Sequence, residues 1–285
     1  MLIRVRRAFG WSKHSVVLLS LFLLTVGLII YVWWPLAQDY VRYVNWQGPW
    51  WRYMDWLLLG IFGFMSLTIL ARADLRRDSL IVLVGLAGGL VIESWGTQTN
   101  LWFYYTAERP PLWIIPAWPI ASLSIDRITR LLYFFTTKRA KEREGKSLTR
   151  SAEKALYWLV LGGFYLLMLR FVFPTLDKSF TVAALILCAL IILAPMNHRM
   201  ALSVFAAGSA LGYFLELWGT TRGCWTYYTY QTPPLFAVLA HGMAALAFWR
   251  AGLVISWGLE RMNHLILNRA EETWPGQGDG ANDAD

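Results

Sequence analysis

Charged side chains are scarce in this chain, and their scarcity argues against a soluble fold. Only 15% of the 285 residues are Asp, Glu, Lys or Arg, whereas 57% are hydrophobic. An average soluble domain carries about 25% charged residues. Long apolar runs separated by short charged segments are typical of membrane-spanning helices. We therefore predict an integral membrane protein.

Metal-binding and catalytic motifs are also missing. The chain has two cysteines and four histidines, and none of them is spaced like a set of zinc ligands. It contains no phosphate-binding loop, no dinucleotide-binding glycine pattern and no nucleophile elbow. We therefore expect no metal and no cofactor. The net charge of +8 comes without a nucleic-acid recognition motif, so we assign it to membrane topology and anionic lipid headgroups.

Eight apolar runs are present, and each approaches the ~20 residues that cross a bilayer. They lie at about 15–36, 54–71, 79–95, 111–135, 154–173, 180–195, 200–217 and 235–257. An open sheet cannot satisfy its backbone in lipid, so the runs predict an all-α polytopic helix bundle. The first run is too long for a signal peptide, and we expect it to be an uncleaved transmembrane helix.

Basic residues concentrate in alternate connecting segments, which predicts the orientation by the positive-inside rule. The densest cluster is in residues 138–153. The chain therefore divides into a first membrane repeat (1–137), a basic cytoplasmic linker (138–153), a second membrane repeat (154–265) and a disordered tail (266–285). We expect both termini to be cytoplasmic, in the plasma membrane of a bacterium or an archaeon.

One stretch occurs twice, at a constant offset of 123 residues. Residues 85–118 and 208–241 are identical at 15 of 34 aligned positions without a gap. Chance would give about two identities at average composition. Four predicted helices separate the copies, so both copies point the same way across the membrane. This predicts two tandem parallel repeats of about four helices each, with both copies at the extracytoplasmic side.

Each copy carries a glutamate behind two glycines at four-residue intervals, which places all three on one helix face. The residues are Gly85, Gly89 and Glu93 in the first copy, and Gly208, Gly212 and Glu216 in the second. Small residues let another helix pack closely in lipid. We expect the two glutamate helices to face each other with their carboxyl groups near a shared axis. A carboxyl group in the membrane is costly unless it is neutral or paired, so Glu93 and Glu216 are candidate catalytic acid and base.

Three further polar residues accompany the glutamates. Arg127 and Arg250 also correspond at the 123-residue offset. They are candidates either for electrostatic tuning of the two carboxyl groups or for purely structural pairs with them. His241 stands where the first copy has Trp118. It is a candidate proton relay, and the alternative is a histidine that simply satisfies its hydrogen bonds inside the bundle.

Aromatic residues surround both glutamates. They are typical of a membrane-interface belt, and they are equally suited to stabilising a cation or stacking on a polyene. The candidate substrate-binding residues are Trp95, Trp102, Tyr104, Tyr105, Trp118, Trp218, Trp225, Tyr227 and Tyr228. Gly96 and Gly219 are predicted to end the two glutamate helices.

The repeated motif reads Glu-x-x-Gly-Thr followed by Trp-x-Tyr, over 93–104 and again over 216–227. It resembles integral membrane proteins of carotenoid biosynthesis, namely the bisanhydrobacterioruberin hydratase-like proteins and, more distantly, the duplicated lycopene cyclase domains. The resemblance covers about 35 residues in each half.

The resemblance implies an enzyme that acts on an apolar isoprenoid or carotenoid-like lipid. A glutamate would protonate an alkene, aromatic rings would stabilise the carbocation, and hydration or cyclisation would follow without a cofactor. The partners would be membrane lipids, an apolar small-molecule substrate and other membrane proteins. Three alternatives stay open: a carrier or channel whose glutamate pair binds a cation, an assembly subunit of a membrane complex, and an enzyme acting on lipid headgroups.

Overall fold

The structure, a computed structural model, describes residues 10–142 and 148–273. Within these ranges the chain forms nine α-helices, two 3-10 turns at Trp50–Tyr53 and Phe173–Thr175, and two short strands. The helices are α1 (Lys13–Val32), α2 (Trp34–Arg42), α3 (Trp56–Leu70), α4 (Leu75–Gln98), α5 (Ala117–Glu142), α6 (Leu148–Val172), α7 (Ser179–Leu193), α8 (His198–Thr221) and α9 (Leu235–Thr273). The strands are β1 (Trp102–Tyr104) and β2 (Trp225–Tyr227). The predicted all-α fold class is confirmed.

Among the helices of the described residues, five are long and apolar enough to cross a membrane: α1, α4, α6, α8 and α9. Helices α3 and α7 are apolar but have only 15 residues each, or about 22 Å at 1.5 Å per residue, against about 30 Å of hydrocarbon. Helix α5 carries Asp126, Arg127 and Arg130 in its middle. Large apolar side chains such as Leu24 and Leu159 are exposed on the outer helices. The five long helices indicate an integral membrane protein.

Capping side chains determine where several helices begin. Asp55 accepts a hydrogen bond from the backbone N–H of Leu58 at 3.1 Å, and α3 starts at Trp56, directly after Asp55. Asn197 accepts one from the N–H of Met200 at 3.0 Å at the start of α8. Such caps satisfy backbone donors that have no partner within the helix.

Four helices form the centre of the bundle. Helix α4 packs against α5 and α9, and α8 packs against the same two helices. On one side, α3 packs against α5 and α8, and α1 packs on α3. On the other side, α6 packs against α8 and α9, and α7 packs on α6 and α9. The two glutamate helices α4 and α8 therefore occupy diagonal positions.

This arrangement corrects the expectation that the two glutamate helices face each other. The glycine face of α4 packs against α5, where a side chain at Gly89 would collide with the ring of Trp118. The glycine face of α8 packs against α9, where a side chain at Gly212 would collide with His241. The glycines make room for a large ring on the following helix, and that ring lies next to the glutamate.

The segment boundaries differ from prediction in three places. Helix α5 begins at Ala117, whereas the apolar run predicted a start near residue 111. The described part of the predicted linker is helical, because α5 extends through residue 142 and α6 starts at Leu148, and residues 143–147 lie outside the described ranges. Helix α9 continues through residues 266–273, where a disordered tail was predicted, and residues 274–285 lie outside the described ranges.

Candidate functional site

Strands β1 and β2 bring the aromatic residues of the two copies together. They pair antiparallel, with Trp102 opposite Tyr227 and Tyr104 opposite Trp225. Side chains alternate between the two faces of a strand, so the tryptophan and tyrosine of each Trp-x-Tyr segment share one face. In β1 that face is buried, whereas the intervening Phe103 is 40% exposed. The strand pair therefore directs four aromatic rings towards the helix ends that carry the glutamates.

Three neutral donors surround the carboxyl group of Glu93, which is 3% exposed. The indole of Trp102 donates to Oε2 at 3.0 Å, the hydroxyl of Tyr104 donates to Oε1 at 2.9 Å, and the indole of Trp118 donates to Oε1 at 3.1 Å. Indole N–H groups only donate, whereas a tyrosine hydroxyl can also accept. Of these three partners, only Tyr104 could accept a hydrogen bond from a protonated Glu93.

The carboxyl group of Glu216 is 4% exposed and has a matching shell. Trp225 donates to Oε2 at 2.9 Å and Tyr227 donates to Oε1 at 2.8 Å. The third partner differs, because His241 Nε2 lies 2.9 Å from Oε1 where Trp118 stands at Glu93. Imidazole can accept, donate or carry a proton near neutral pH. Glu216 can therefore exchange a proton with its ring partner, whereas Glu93 cannot exchange one with Trp118.

Three pairs of contacting rings connect the two carboxyl groups. Trp118 and His241 stack on each other with centroids 5.8 Å apart and an interplanar angle of 19°. Trp102 lies 5.8 Å from Tyr227, and Tyr104 lies 5.9 Å from Trp225. Every ring that binds one glutamate thus contacts a ring that binds the other. The two carboxyl groups belong to one site.

A glycine three residues after each glutamate allows this packing. A Cβ at Gly96 would lie 1.9 Å from a ring carbon of Trp102, and one at Gly219 would lie 2.0 Å from a ring carbon of Trp225. The prediction that these glycines end their helices is wrong, because α4 continues to Gln98 and α8 to Thr221. Their role is close approach of the indole ring rather than a left-handed cap.

The interpretation that Arg127 tunes Glu93 is wrong. The guanidinium of Arg127 binds Asp78 at 2.6 Å, Asp126 at 2.6 Å and the carbonyl of Ala71 at 3.1 Å. Arg127 lies nine residues beyond Trp118 on α5, which is about 13 Å further from Glu93 at 1.5 Å per residue. Arg250 does not pair with Glu216 either, and its Nε and Nη2 atoms have no acceptor in the part of the chain that the structure describes.

Four of the predicted substrate-binding residues form hydrogen bonds away from the glutamates. The indole of Trp95 donates to Thr181 at 3.1 Å, and that of Trp218 donates to Asp55 at 2.8 Å. Two tyrosine hydroxyls bind backbone carbonyls of other segments: Tyr105 that of Val32, and Tyr228 that of Phe171. The other five predicted substrate-binding residues bind the carboxyl groups directly, and they are Trp102, Tyr104, Trp118, Trp225 and Tyr227. The predicted proton relay His241 also contacts Glu216.

Sequence reasoning missed two kinds of residue. Trp33 stacks on Trp218 with ring centroids 4.8 Å apart and also contacts Trp113, yet neither Trp33 nor Trp113 belongs to the aligned aromatic set. Asp78 is 1% exposed and binds Arg127. Its burial could have been predicted, because it is an acidic residue one turn into an apolar helix. A charge inside an apolar run predicts a buried partner.

Cys224 lies just before β2 and is 2% exposed. Burial raises the pKa of its thiol to about 12. The thiol is therefore neutral and unreactive near pH 7, since the thiolate is the nucleophilic form. Both Cys188 and Cys224 are free.

Among the residues described here, no cluster of three or more His, Cys, Asp or Glu could hold a metal ion. The site instead offers two carboxyl groups, one imidazole and five other aromatic rings. Such a set can transfer protons and stabilise positive charge on a bound apolar molecule.

No family model, curated protein or solved structure matches this chain. The function must therefore be argued from the geometry of the site and from the motif.

Proposed function

We propose that the chain is an integral membrane enzyme that protonates an alkene of an apolar isoprenoid or carotenoid-like lipid. The observation that carries this proposal is the pair of buried carboxyl groups, each hydrogen-bonded to three aromatic side chains that contact the partners of the other group. A protonated carboxyl group surrounded by aromatic side chains has a proton to donate, and the neighbouring rings can stabilise the resulting cation.

An apolar cavity of about 100 Å³ beside the site supports an apolar substrate. It lies between α1, α3, α5 and α8, and Trp218 and Trp225 form part of its wall. Trp225 also donates to Glu216, so a lipid chain in this cavity would contact the ring that lies against the carboxyl group. Trp33 lines the same cavity, and its indole N–H has no acceptor among the described residues, so it is available to a water molecule or a hydroxyl group.

The proposed reaction begins when a protonated glutamate transfers its proton to one carbon of a C=C bond. The π electrons form the new C–H bond, and the neighbouring carbon becomes a carbocation. Water then adds to the cation and gives up a proton to a carboxylate, which yields an alcohol. Alternatively, an internal double bond attacks the cation, a ring forms, and an adjacent C–H proton returns to a carboxylate. Each route leaves the carboxyl pair with the number of protons it started with and requires no cofactor. When the second carboxylate takes up the proton, that proton returns to the first before the next turnover.

The ring partners suggest different roles for the two glutamates. His241 can accept a proton from Glu216 or return one, so we assign Glu216 and His241 to the uptake of the proton released by water. Trp118 cannot take part in such an exchange, so Glu93 is assigned as the acid.

The membrane arrangement that fits this proposal has eight spans in two parallel repeats. The short helices α3 and α7 and the charged helix α5 would then cross together with the five long ones. Both glutamates would lie towards the extracytoplasmic side, and both termini would be cytoplasmic. The equivalent hydrogen bonds at a 123-residue offset support this arrangement.

Mass spectrometry of lipid extracts tests the enzyme. Cells would express the wild type, Glu93→Gln, Glu216→Gln, Glu108→Gln or no copy of the gene. Glu108 is an exposed carboxylate in the loop after β1, so Glu108→Gln is a matched control. We expect a lipid that gains the mass of one water, or keeps its mass and changes retention, only with the wild type and Glu108→Gln. Identical extracts from all five strains, with the proteins folded at equal levels in membranes, would refute the enzyme.

A second candidate is a structural role within a membrane complex. It is favoured by the hydrogen bonds through which the glutamates hold β1 and β2 against the ends of α4 and α8. This role predicts that Glu93→Gln and Glu216→Gln lower the unfolding temperature while the lipid extract stays unchanged. A cation carrier is less well supported, because three donors already occupy most of the roughly four acceptor positions of each carboxylate.

A further inference from the structure

A second cavity lies at the opposite end of the four central helices. It has a volume of about 250 Å³ and is enclosed by α4, α5, α8 and α9. Its wall residues on α4, including Leu80 and Val84, precede Glu93 by at least nine positions. We call it the basic-end cavity, because Arg77 and Arg130 form part of its wall. It is separate from the glutamate site.

The polar part of this cavity carries excess positive charge. Arg77, Arg127 and Arg130 all contact the carboxylate of Asp126. Asp78 supplies the second carboxylate of the cluster through its bond to Arg127. Three guanidinium groups therefore share two carboxylates. Since the side chain of Arg77 is 57% exposed, this end of the cavity faces the protein surface.

Two buried polar atoms of the cavity wall have no partner. Thr129 is only 6% exposed, and its hydroxyl has no hydrogen-bond partner among the described residues. The Nε–H of Arg130 is likewise buried without an acceptor. Leaving such a group unsatisfied is destabilising, and buried polar groups are normally paired. An acceptor supplied by a ligand would satisfy both atoms.

The rest of the wall is apolar. Towards the middle of the bundle it is formed by Ile81, Val84, Val204 and Phe248. A free inorganic anion would leave this part of the cavity empty, whereas a fully apolar molecule would leave the polar atoms unpaired. The lining therefore matches a molecule with both characters.

We propose that the basic-end cavity binds an amphiphile with an anionic headgroup, such as a phosphate, and an apolar chain. The headgroup accepts hydrogen bonds from Arg130 Nε and Thr129 Oγ1, and the chain lies against Ile81, Val84 and Phe248. The same chemistry occurs in anionic phospholipids of the bilayer and in soluble amphiphilic phosphates. This site does not depend on the glutamate pair or on the reaction proposed there.

Gly252 allows a clean steric test. It lines the cavity, and a Cβ added there would meet no atom within 4 Å. The first atom of a side chain at position 252 therefore has room, and Gly252→Leu places its remaining atoms at the cavity wall. Gly258 lies on the same helix, has equally free space around its Cα and is outside the cavity lining, so Gly258→Leu is the matched control.

The experiment measures binding of octyl phosphate to the full chain in phosphatidylcholine nanodiscs. Octyl glucoside and inorganic phosphate are tested separately as the two halves of the ligand. We expect octyl phosphate to bind the wild type and Gly258→Leu equally. We expect its Kd to rise at least tenfold in Gly252→Leu and Arg130→Gln, and three- to tenfold in Thr129→Val. Nanodiscs that contain the anionic lipid phosphatidylglycerol distinguish the two sources of ligand. If the apparent affinity for octyl phosphate is weaker in them, a bilayer lipid is the occupant. If that affinity is unchanged, the occupant is a soluble amphiphile.

Four outcomes would overturn the proposal. The first is that Gly252→Leu and Gly258→Leu bind octyl phosphate with equal affinity, and the second is that the wild type does not bind it. The other two are that inorganic phosphate, or octyl glucoside, binds as tightly as octyl phosphate. The unfolding temperatures of the unliganded variants establish that each one is folded. A lipid extract that does not change with the gene would refute the enzyme and leave this result untouched.

Discussion

The indole of Trp102 reaches Glu93 because residue 96 has no side chain. The ring lies where a Cβ of residue 96 would be, and Gly219 plays the same part for Trp225. Each glutamate thus depends on a glycine one turn further along its own helix. The requirement is steric and local, so single substitutions can test it.

Gly96→Ala should destabilise the protein although alanine is the better helix former. The new methyl group must displace Trp102, and overpacking of this kind costs about 1–3 kcal/mol. Gly162→Ala on α6 is the control, because a Cβ there meets no atom within 4 Å, and this change should stabilise the helix by about 0.5–1 kcal/mol. Thermal unfolding in detergent measures both. Equal shifts in the two variants would show that Trp102 is not held in this position.

Cys224 should resist thiol reagents in the folded protein. Burial raises the pKa of its thiol to about 12, and maleimides react with the thiolate. In a Cys188→Ser background we expect labelling at pH 7.5 only after unfolding. Rapid labelling of the folded protein would contradict the burial of this loop.

The same thiol predicts a pH dependence at alkaline pH. Its pKa is higher in the folded than in the unfolded state, so the unfolded chain loses the proton first as the pH rises. The contribution of Cys224 to stability is full below pH 9, its ordinary pKa, and is lost as the pH rises towards about 12. The unfolding free energy of Cys224→Ala should fall less steeply over this window than that of the parent protein. Parallel curves would contradict the raised pKa.

At the scale of helices, α5 and α9 carry corresponding arginines in opposite situations. Arg127 has two carboxylates and a carbonyl as acceptors, and Asp78 beside it is 1% exposed. Position 201, which corresponds to Asp78, is an alanine, and two nitrogen atoms of Arg250 have no acceptor within the described ranges. The two helices are therefore not energetically equivalent.

Arg127→Met should destabilise the protein by about 3–5 kcal/mol, because it leaves a buried carboxylate without a counter-charge. Arg250→Met removes a guanidinium that is only partly satisfied, so its effect should lie within about 1 kcal/mol of zero. Unfolding in a denaturing detergent compares the two variants directly. Similar losses in both would show that Arg250 has an equally strong partner.

Asp55 connects the start of α3 to the end of α8. It caps α3 and also accepts hydrogen bonds from Trp218 at 2.8 Å and from Arg222 at 3.0 Å. Asp55→Ala should therefore cost about 1–3 kcal/mol through the lost cap and the unpaired indole. Asp39→Ala is the control, because its bond to Arg42 joins two largely exposed side chains, and exposed pairs contribute little. An equal loss of stability in both variants would contradict the connecting role of Asp55.

The helices and the glutamate-bearing faces could be predicted from the sequence, whereas the partners of the glutamates could be predicted only in part. The four-residue spacing of Gly85, Gly89 and Glu93 defines a helix face whatever the surroundings. Which helix packs on that face depends on Trp118, which is 25 residues away and fills the space above Gly89. Arg127 was assigned to the wrong carboxylate because alignment by offset says nothing about depth along α5.

At the scale of the whole molecule, the proposed parallel repeat makes a prediction about the two membrane sides. Four exposed residues are changed to cysteine in a protein without native cysteines: Glu108, Gln231, Arg76 and Met196. The first two lie in loops at the glutamate end, and the last two lie at the basic end. Labelling with a membrane-impermeant maleimide should reach Glu108→Cys and Gln231→Cys from outside intact cells, and the other pair only after lysis. Labelling of positions 108 and 231 from opposite sides would contradict the parallel arrangement.

The stack of Trp118 on His241 has a consequence for symmetry. In a dimer of two identical halves this contact would hold two copies of the same ring. Two indoles could not take up a proton, and two imidazoles would repel each other once both were protonated. A single continuous chain avoids this restriction, because each half can change without the other. The two carboxyl groups share nearly the same geometry, and yet only one of them has an imidazole as its third partner. The protein thus obtains two chemically distinct acids from one repeated motif.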